Sequence, residues 1–130
     1  MCHGHVYTIV VAKVVGTDEI VGGYNPLAWN NSTGEVSMET NDSFIFSLKN
    51  RNIQKLILSR VTDSSSALFY HNSNDQNIDG PCFGNYEFIM HSDVSNFTQD
   101  KLCCNHDPRY DTYYEKPIRT TDDFFFYCRL

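Results

Sequence analysis

No run of about 18 consecutive apolar residues occurs in this 130-residue chain, so the sequence encodes no membrane-crossing helix. Its first residues also lack the charged-then-apolar order of a secretory leader, and the expected setting is the cytoplasm. Lys and Arg form no cluster, and 10 basic residues stand against 16 acidic ones for a net charge of −6. That balance removes the electrostatic term on which phosphate-backbone binding depends, so nucleic acid is not an expected partner. Gly-x-Ser-x-Gly, His-Glu-x-x-His and phosphate-loop motifs are missing as well, which leaves catalysis without a local signature. No pairing pattern of cysteines is present either: Cys2, Cys82, Cys103, Cys104 and Cys128 are odd in number and irregular in spacing. Free thiols in a reducing compartment are the reading that follows. The sequons at Asn30, Asn31, Asn41 and Asn96 are then coincidences of an Asn-rich chain.

What the chain does hold is aromatic and β-branched. Eight Tyr, nine Phe and many Val and Ile favour strands over helices, and the length fits one domain spanning residues 1–130. The segment from His5 to Val15 is almost continuously apolar and predicts a strand covered on both sides, paired in a hairpin that runs from Val6 to Val21 around Gly16-Thr17-Asp18. Asn30 to Asn41 reads as a long surface loop. Asp42 to Leu48 alternates cleanly, with Phe44, Phe46 and Leu48 on one face and Ser43, Ile45 and Ser47 on the other. Ile53 to Val61 fits a helical stripe too, but its length between turns favours a strand. Ala67 to His71 predicts a short strand, Gly84 a bulge or bend, and Tyr86, Phe88 and Met90 the inward face of another strand. A short strand and a long loop are expected between His91 and Asp111. The closing run Phe124-Phe125-Phe126-Tyr127-Cys128 must be buried, paired or sticky.

The stretch Gly22-Gly23-Tyr24-Asn25-Pro26-Leu27-Ala28-Trp29 organises the rest. Its two glycines are expected to let the chain leave a strand by dihedrals closed to other residues, Asn25-Pro26 turns the chain, and Trp29 is the only tryptophan, a core anchor by its size. Tyr24 or Trp29 at a partner interface is the functional alternative. Metal binding by Cys2, His3 and His5 or by Cys103, Cys104 and His106 is disfavoured, because neither set has the spacing that lets ligands converge. An enzyme built on Cys82 with His71 or His91 is the second hypothesis, and a fragment without activity is the third. Sacrificial thiols at Cys103 and Cys104 would have only Lys101 nearby to lower their pKa. The acids Asp75, Asp79, Asp122 and Asp123 read as solvated surface.

Three ordered motifs carry a resemblance: Gly16 to Trp29, then Asp42-Ser43-Phe44-Ile45-Phe46-Ser47-Leu48, then Gly80-Pro81-Cys82-Phe83-Gly84. Together they resemble the TLDc domain of the oxidation-resistance proteins, over roughly residues 2 to 125. The resemblance implies a β-sandwich of two antiparallel sheets with a few short helices. It further implies a non-catalytic protein-interaction domain, without a cofactor, acting in oxidative-stress protection and binding subunits of the vacuolar proton-pumping ATPase. A BTB module precedes the domain in fungal relatives. Gly22, Gly23, Tyr24, Asn25, Pro26, Trp29, Phe44, Phe46, Phe83 and Gly84 are the motif residues expected to build the structure or an interface. The family's opening helical segment and its usual final strand have no counterpart here. An incomplete domain with apolar surface left open is therefore expected.

Overall fold

A computed structural model describes residues 5–29, 35–49, 52–71, 79–91, 101–104, 111–119 and 125–129. Among them are ten strands: β1 Thr8–Val14, β2 Ile20–Asn25, β3 Val36–Met38, β4 Phe44–Leu48, β5 Ile57–Arg60, β6 Leu68–Tyr70, β7 Asp79–Phe83, β8 Phe88–His91, β9 Lys101–Cys104 and β10 Phe125–Arg129. Only two single-turn 3₁₀ helices interrupt them, at Ile53–Lys55 and Ser64–Ser66, so the chain is mostly β as its composition predicts.

Every strand pairing is antiparallel, and the spatial order is β3-β6-β7-β8-β9-β10-β1-β2-β4-β5. This ladder folds over itself into two facing layers. Gly23 on β2 meets the ring of Phe83 on β7, and Asn25 on β2 reaches Tyr70 on β6. Val10, Val21, Ile45, Leu68, Phe83, Phe88 and Ile118 fill the space between them. The hairpin of β1 and β2 pairs Lys13 with Ile20 and Thr8 with Asn25, four residues beyond the end predicted from sequence. β10 lies between β9 and β1, which pairs the apolar closing run on both edges.

Several expectations are corrected. β1 is bonded along both edges but covered on only one face: Val10, Ala12 and Val14 are buried while Ile9, Val11 and Val15 stand exposed. A second layer lies on one side of it alone, and the apolar outward residues hide the alternation that would have revealed this. The presumed loop before Asn41 contains β3, which pairs with β6; residues 30–34 lie outside the described residues. Ile53 to Val61 is not one strand. Asn52 Oδ1 accepts the Gln54 N–H at 3.0 Å and starts a 3₁₀ turn, after which β5 begins at Ile57. Tyr86 is exposed in a turn at φ 58°, and Phe88, Ile89 and Met90 are all buried, so β8 is covered on both faces. In β4 the serine face points inward, with Ser43, Ile45 and Ser47 buried and the Phe44/Phe46/Leu48 face only half-buried.

Candidate interaction surface

Strand alternation divides the motif residues between two environments. Gly23, Asn25 and Trp29 face inward. Gly22 and Gly23 lie inside β2 without positive φ, so they do not let the chain leave the strand as expected; instead a Cβ on Gly23 would sit 2.5–2.8 Å from three atoms of the Phe83 ring, and only glycine admits that ring here. Asn25 is fully buried. Its Oδ1 accepts the Leu27 N–H at 2.8 Å across Pro26, and its Nδ2 donates to the Tyr70 hydroxyl at 3.4 Å. Tyr70 donates in turn to Ala28 O at 2.6 Å, and burial raises its phenol above the usual range. Trp29 packs on Tyr70 at 5.1 Å and meets Phe83 edge-on at 5.9 Å, while its Nε1 donates to Thr8 Oγ1 at 2.7 Å. Phe83 continues the cluster to Phe88 at 5.9 Å. Every polar group named here is hydrogen-bonded and every ring is enclosed, so this half of the motif holds the layers together.

A second polar cluster ties the segment 111–119 between the layers. Gly84 turns β7 into β8 at φ 64°, and a Cβ there would collide with Glu87 Oε2. Glu87 is 3% exposed, and its Oε1 accepts the N–H groups of Tyr113 at 2.7 Å and Tyr114 at 3.3 Å. Burial pushes its carboxyl up to about 7, against the opposing effect of those two N–H donors. The Tyr114 hydroxyl donates to Ala67 O at 2.7 Å and lies 2.8 Å from Ser43 Oγ; burial drives this phenol well above its ordinary value. Ser59 Oγ donates to Lys116 O at 2.6 Å, and Glu19 gathers Ser47 Oγ at 2.8 Å and Arg119 Nε at 3.1 Å. Sequence reasoning passed over Glu87, Tyr114 and these serines, because their partners are distant in the chain.

Gly22, Tyr24, Phe44 and Phe46 face outward. Tyr24 stacks on Phe44 at 5.1 Å, Phe44 tilts against Phe46 at 6.4 Å, and the Phe46 ring lies over Gly22. Register carries this aromatic row onto β1, where Ile9 lies across from Tyr24 and Val11 across from Gly22. Ile9 is 59% exposed, Val11 47%, Val15 44% and, on β10, Tyr127 60%. The outer face of β10-β1-β2-β4 thus joins half-buried aromatics to exposed aliphatics in one apolar surface. A groove of about 390 Å³ opens at its end, lined by Val11, Val15, Gly16, Ile20, Lys13 and Arg129. Contiguous exposed apolar surface of this extent is the usual character of protein-binding faces.

The remaining candidates are dispersed. Cys82 is buried across from Phe69 and Ile89, its thiol 3.8 Å from Gly84 O, whereas His71 packs edge-on against Phe69 and His91 lies across from Asp79. Cys103 and Cys128 are buried, and no group of three His, Cys, Asp or Glu side chains among the described residues converges as a metal site. Cys2, His3, His106, Asp75, Asp122 and Asp123 lie outside the described residues. No helix among the described residues is long and apolar enough to cross a membrane.

Comparison with known proteins gives one match. Neither the curated proteins nor the solved structures contain a match to the chain. The family model described as the TLDc domain matches residues 1–128, nearly the whole sequence, and includes all three motifs that carry the resemblance. With a β-sandwich in place and its motif residues anchoring the layers, the chain belongs to the TLDc domain family.

Proposed function

We propose that this chain is a non-catalytic TLDc-type interaction domain acting in the cytoplasm, in oxidative-stress protection through the vacuolar proton-pumping ATPase. The observation that carries the reading is the outer apolar face, in which exposed Ile9, Val11, Val15 and Tyr127 continue the Tyr24/Phe44/Phe46 row. Folding alone gives no reason to leave these side chains in water, since burying each is worth roughly 1.5–3 kcal/mol. The two inner polar clusters, by contrast, are enclosed and committed to holding the layers. Membership of the TLDc family supports the assignment to protein binding.

Co-purification of proton-pump subunits with the tagged chain tests it. The wild-type chain is expected to retain them and Val11→Asp to lose them, with peroxide survival of cells following the same order. Equal recovery by the two chains, or none by either, would sink the proposal.

A further inference from the structure

Segment 111–119 runs as a strap along the free edge of β5, which pairs with β4 on one side only. On its other side Arg60 O accepts the Glu115 N–H at 2.9 Å, and the Arg60 N–H donates to Glu115 Oε2 at 3.2 Å. Just past the strand Val61 bridges to Tyr114, and the Thr62 N–H donates to Tyr113 O at 2.8 Å. The strap thus stands in for an outer strand and keeps the end of the sheet from presenting bare backbone groups. A single carboxyl holds it from the opposite side. Tyr113 and Tyr114 both donate their N–H groups to Glu87 Oε1, whereas Glu87 Oε2 is shut off from solvent, lies against Gly84 and has no hydrogen-bond partner. Among the described residues no ion pair reaches Glu87. The charged groups of the strap nearest to it, Asp111, Glu115 and Lys116, are exposed, as are Arg60 and Asp63 beneath the strap and Tyr86 beside it, while Cys82 is buried with its thiol 3.8 Å from Gly84 O.

We infer that segment 111–119 is a proton-released strap, closed over the edge of β5 while Glu87 holds a proton and lifted when Glu87 gives it up. A neutral carboxyl forgoes one weak hydrogen-bonding site at Oε2, whereas a carboxylate there would leave a charged oxygen against carbon with no donor. Burial accordingly raises the Glu87 carboxyl to about 7, against the opposing pull of the two N–H donors. The ionised form has a local way out. A pocket of about 120 Å³ opens between Glu87 and the strap residues Thr112, Tyr114, Glu115, Lys116 and Pro117, so lifting the strap hydrates the carboxylate without unfolding β7 or β8. A conformation that takes up a proton more readily is itself stabilised by that proton. The closed strap is therefore favoured most below about pH 4.5, loses ground as pH rises to about 7 and levels above it. Tyr114 takes no part in the switch, because burial raises its phenol and keeps it neutral across this window.

The test is amide hydrogen exchange of the full chain at about pH 5.5 and about pH 8, each rate corrected for its intrinsic pH dependence. Protection of the Tyr113, Tyr114 and Glu115 amides is expected to fall at least about tenfold between the two, and to stay below that of the β2 amides at both. Low urea should leave strap exchange unchanged while it speeds exchange in β2, as a local opening requires. Glu87→Gln keeps the carbonyl acceptor and removes the charge, so its strap should be equally protected at both pH values. Strap protection that does not change with pH overturns the inference. So do strap and β2 amides that share one protection factor and one urea dependence, a result that assigns the titration of Glu87 to unfolding of the whole chain. A pH dependence retained in Glu87→Gln overturns it too, by placing the titration in another group. Should Glu87→Gln fail to fold, the wild-type chain decides alone, since the first two results are read on it.

Discussion

Replacing Trp29 with Ala removes two ring contacts and leaves Thr8 without its indole donor. The cavity that opens between the layers is expected to cost about 3–5 kcal/mol, read as a lower urea midpoint at unchanged slope. Glu87 makes a different prediction, because its environment opposes ionisation. Its carboxyl titrates at about 7 in the folded chain against an ordinary value of 4.5. Between those two values the unfolded state releases a proton that the folded state keeps. Stability is therefore highest below about pH 4.5 as far as this group is concerned, falls as pH rises through 7, and then levels. A loss on the order of 2 kcal/mol is expected, after discounting for partial solvent screening. Glu87→Gln should flatten that slope in denaturation midpoints measured from pH 5 to 8. An unchanged slope would place its origin in another group.

At the scale of elements, β10 joins β9 to β1, so its loss breaks the ladder between those two strands. Tyr127 pairs with Leu102, and its carbonyl accepts the Val15 N–H at 2.9 Å. Tyr127→Pro places a ring and a fixed φ inside a strand paired on both edges and is expected to lower the unfolding midpoint clearly, whereas Tyr127→Thr, which suits a strand, should cost under about 1 kcal/mol. Strand existence was largely legible in the sequence: β1, β2, β4, β6 and β8 announce themselves by apolar or alternating runs. Burial was not. Phe44, Phe46 and Leu48 outweigh Ser43 and Ser47 in hydrophobicity, yet the serines turn inward because Tyr114 and Glu19 await them, 71 and 28 residues away in the chain. Ile9 and Val11 read as core for the opposite reason, since nothing polar marks the open side of β1. The outer apolar face was legible only as the aromatics Tyr24, Phe44 and Phe46.

For the molecule as a whole, an apolar face left in water is a standing tendency to associate. The isolated chain is expected to self-associate with rising concentration in sedimentation, and Ile9→Thr/Val11→Thr to suppress this while shifting the unfolding midpoint little. A wild-type chain that stays monomeric throughout would remove the apolar face as a driving force. The strand order has one more consequence, in time rather than in energy. β1 leaves the ribosome well before its partner on one edge, β10, which lies more than a hundred residues later. At about 5–20 residues per second the wait is roughly 5–25 s. For that interval β1 can pair with β2 but must keep its other edge bare, a nascent strand available to any neighbouring chain or holding chaperone. Translation speed through the intervening sequence thus enters directly into the yield of correctly closed protein.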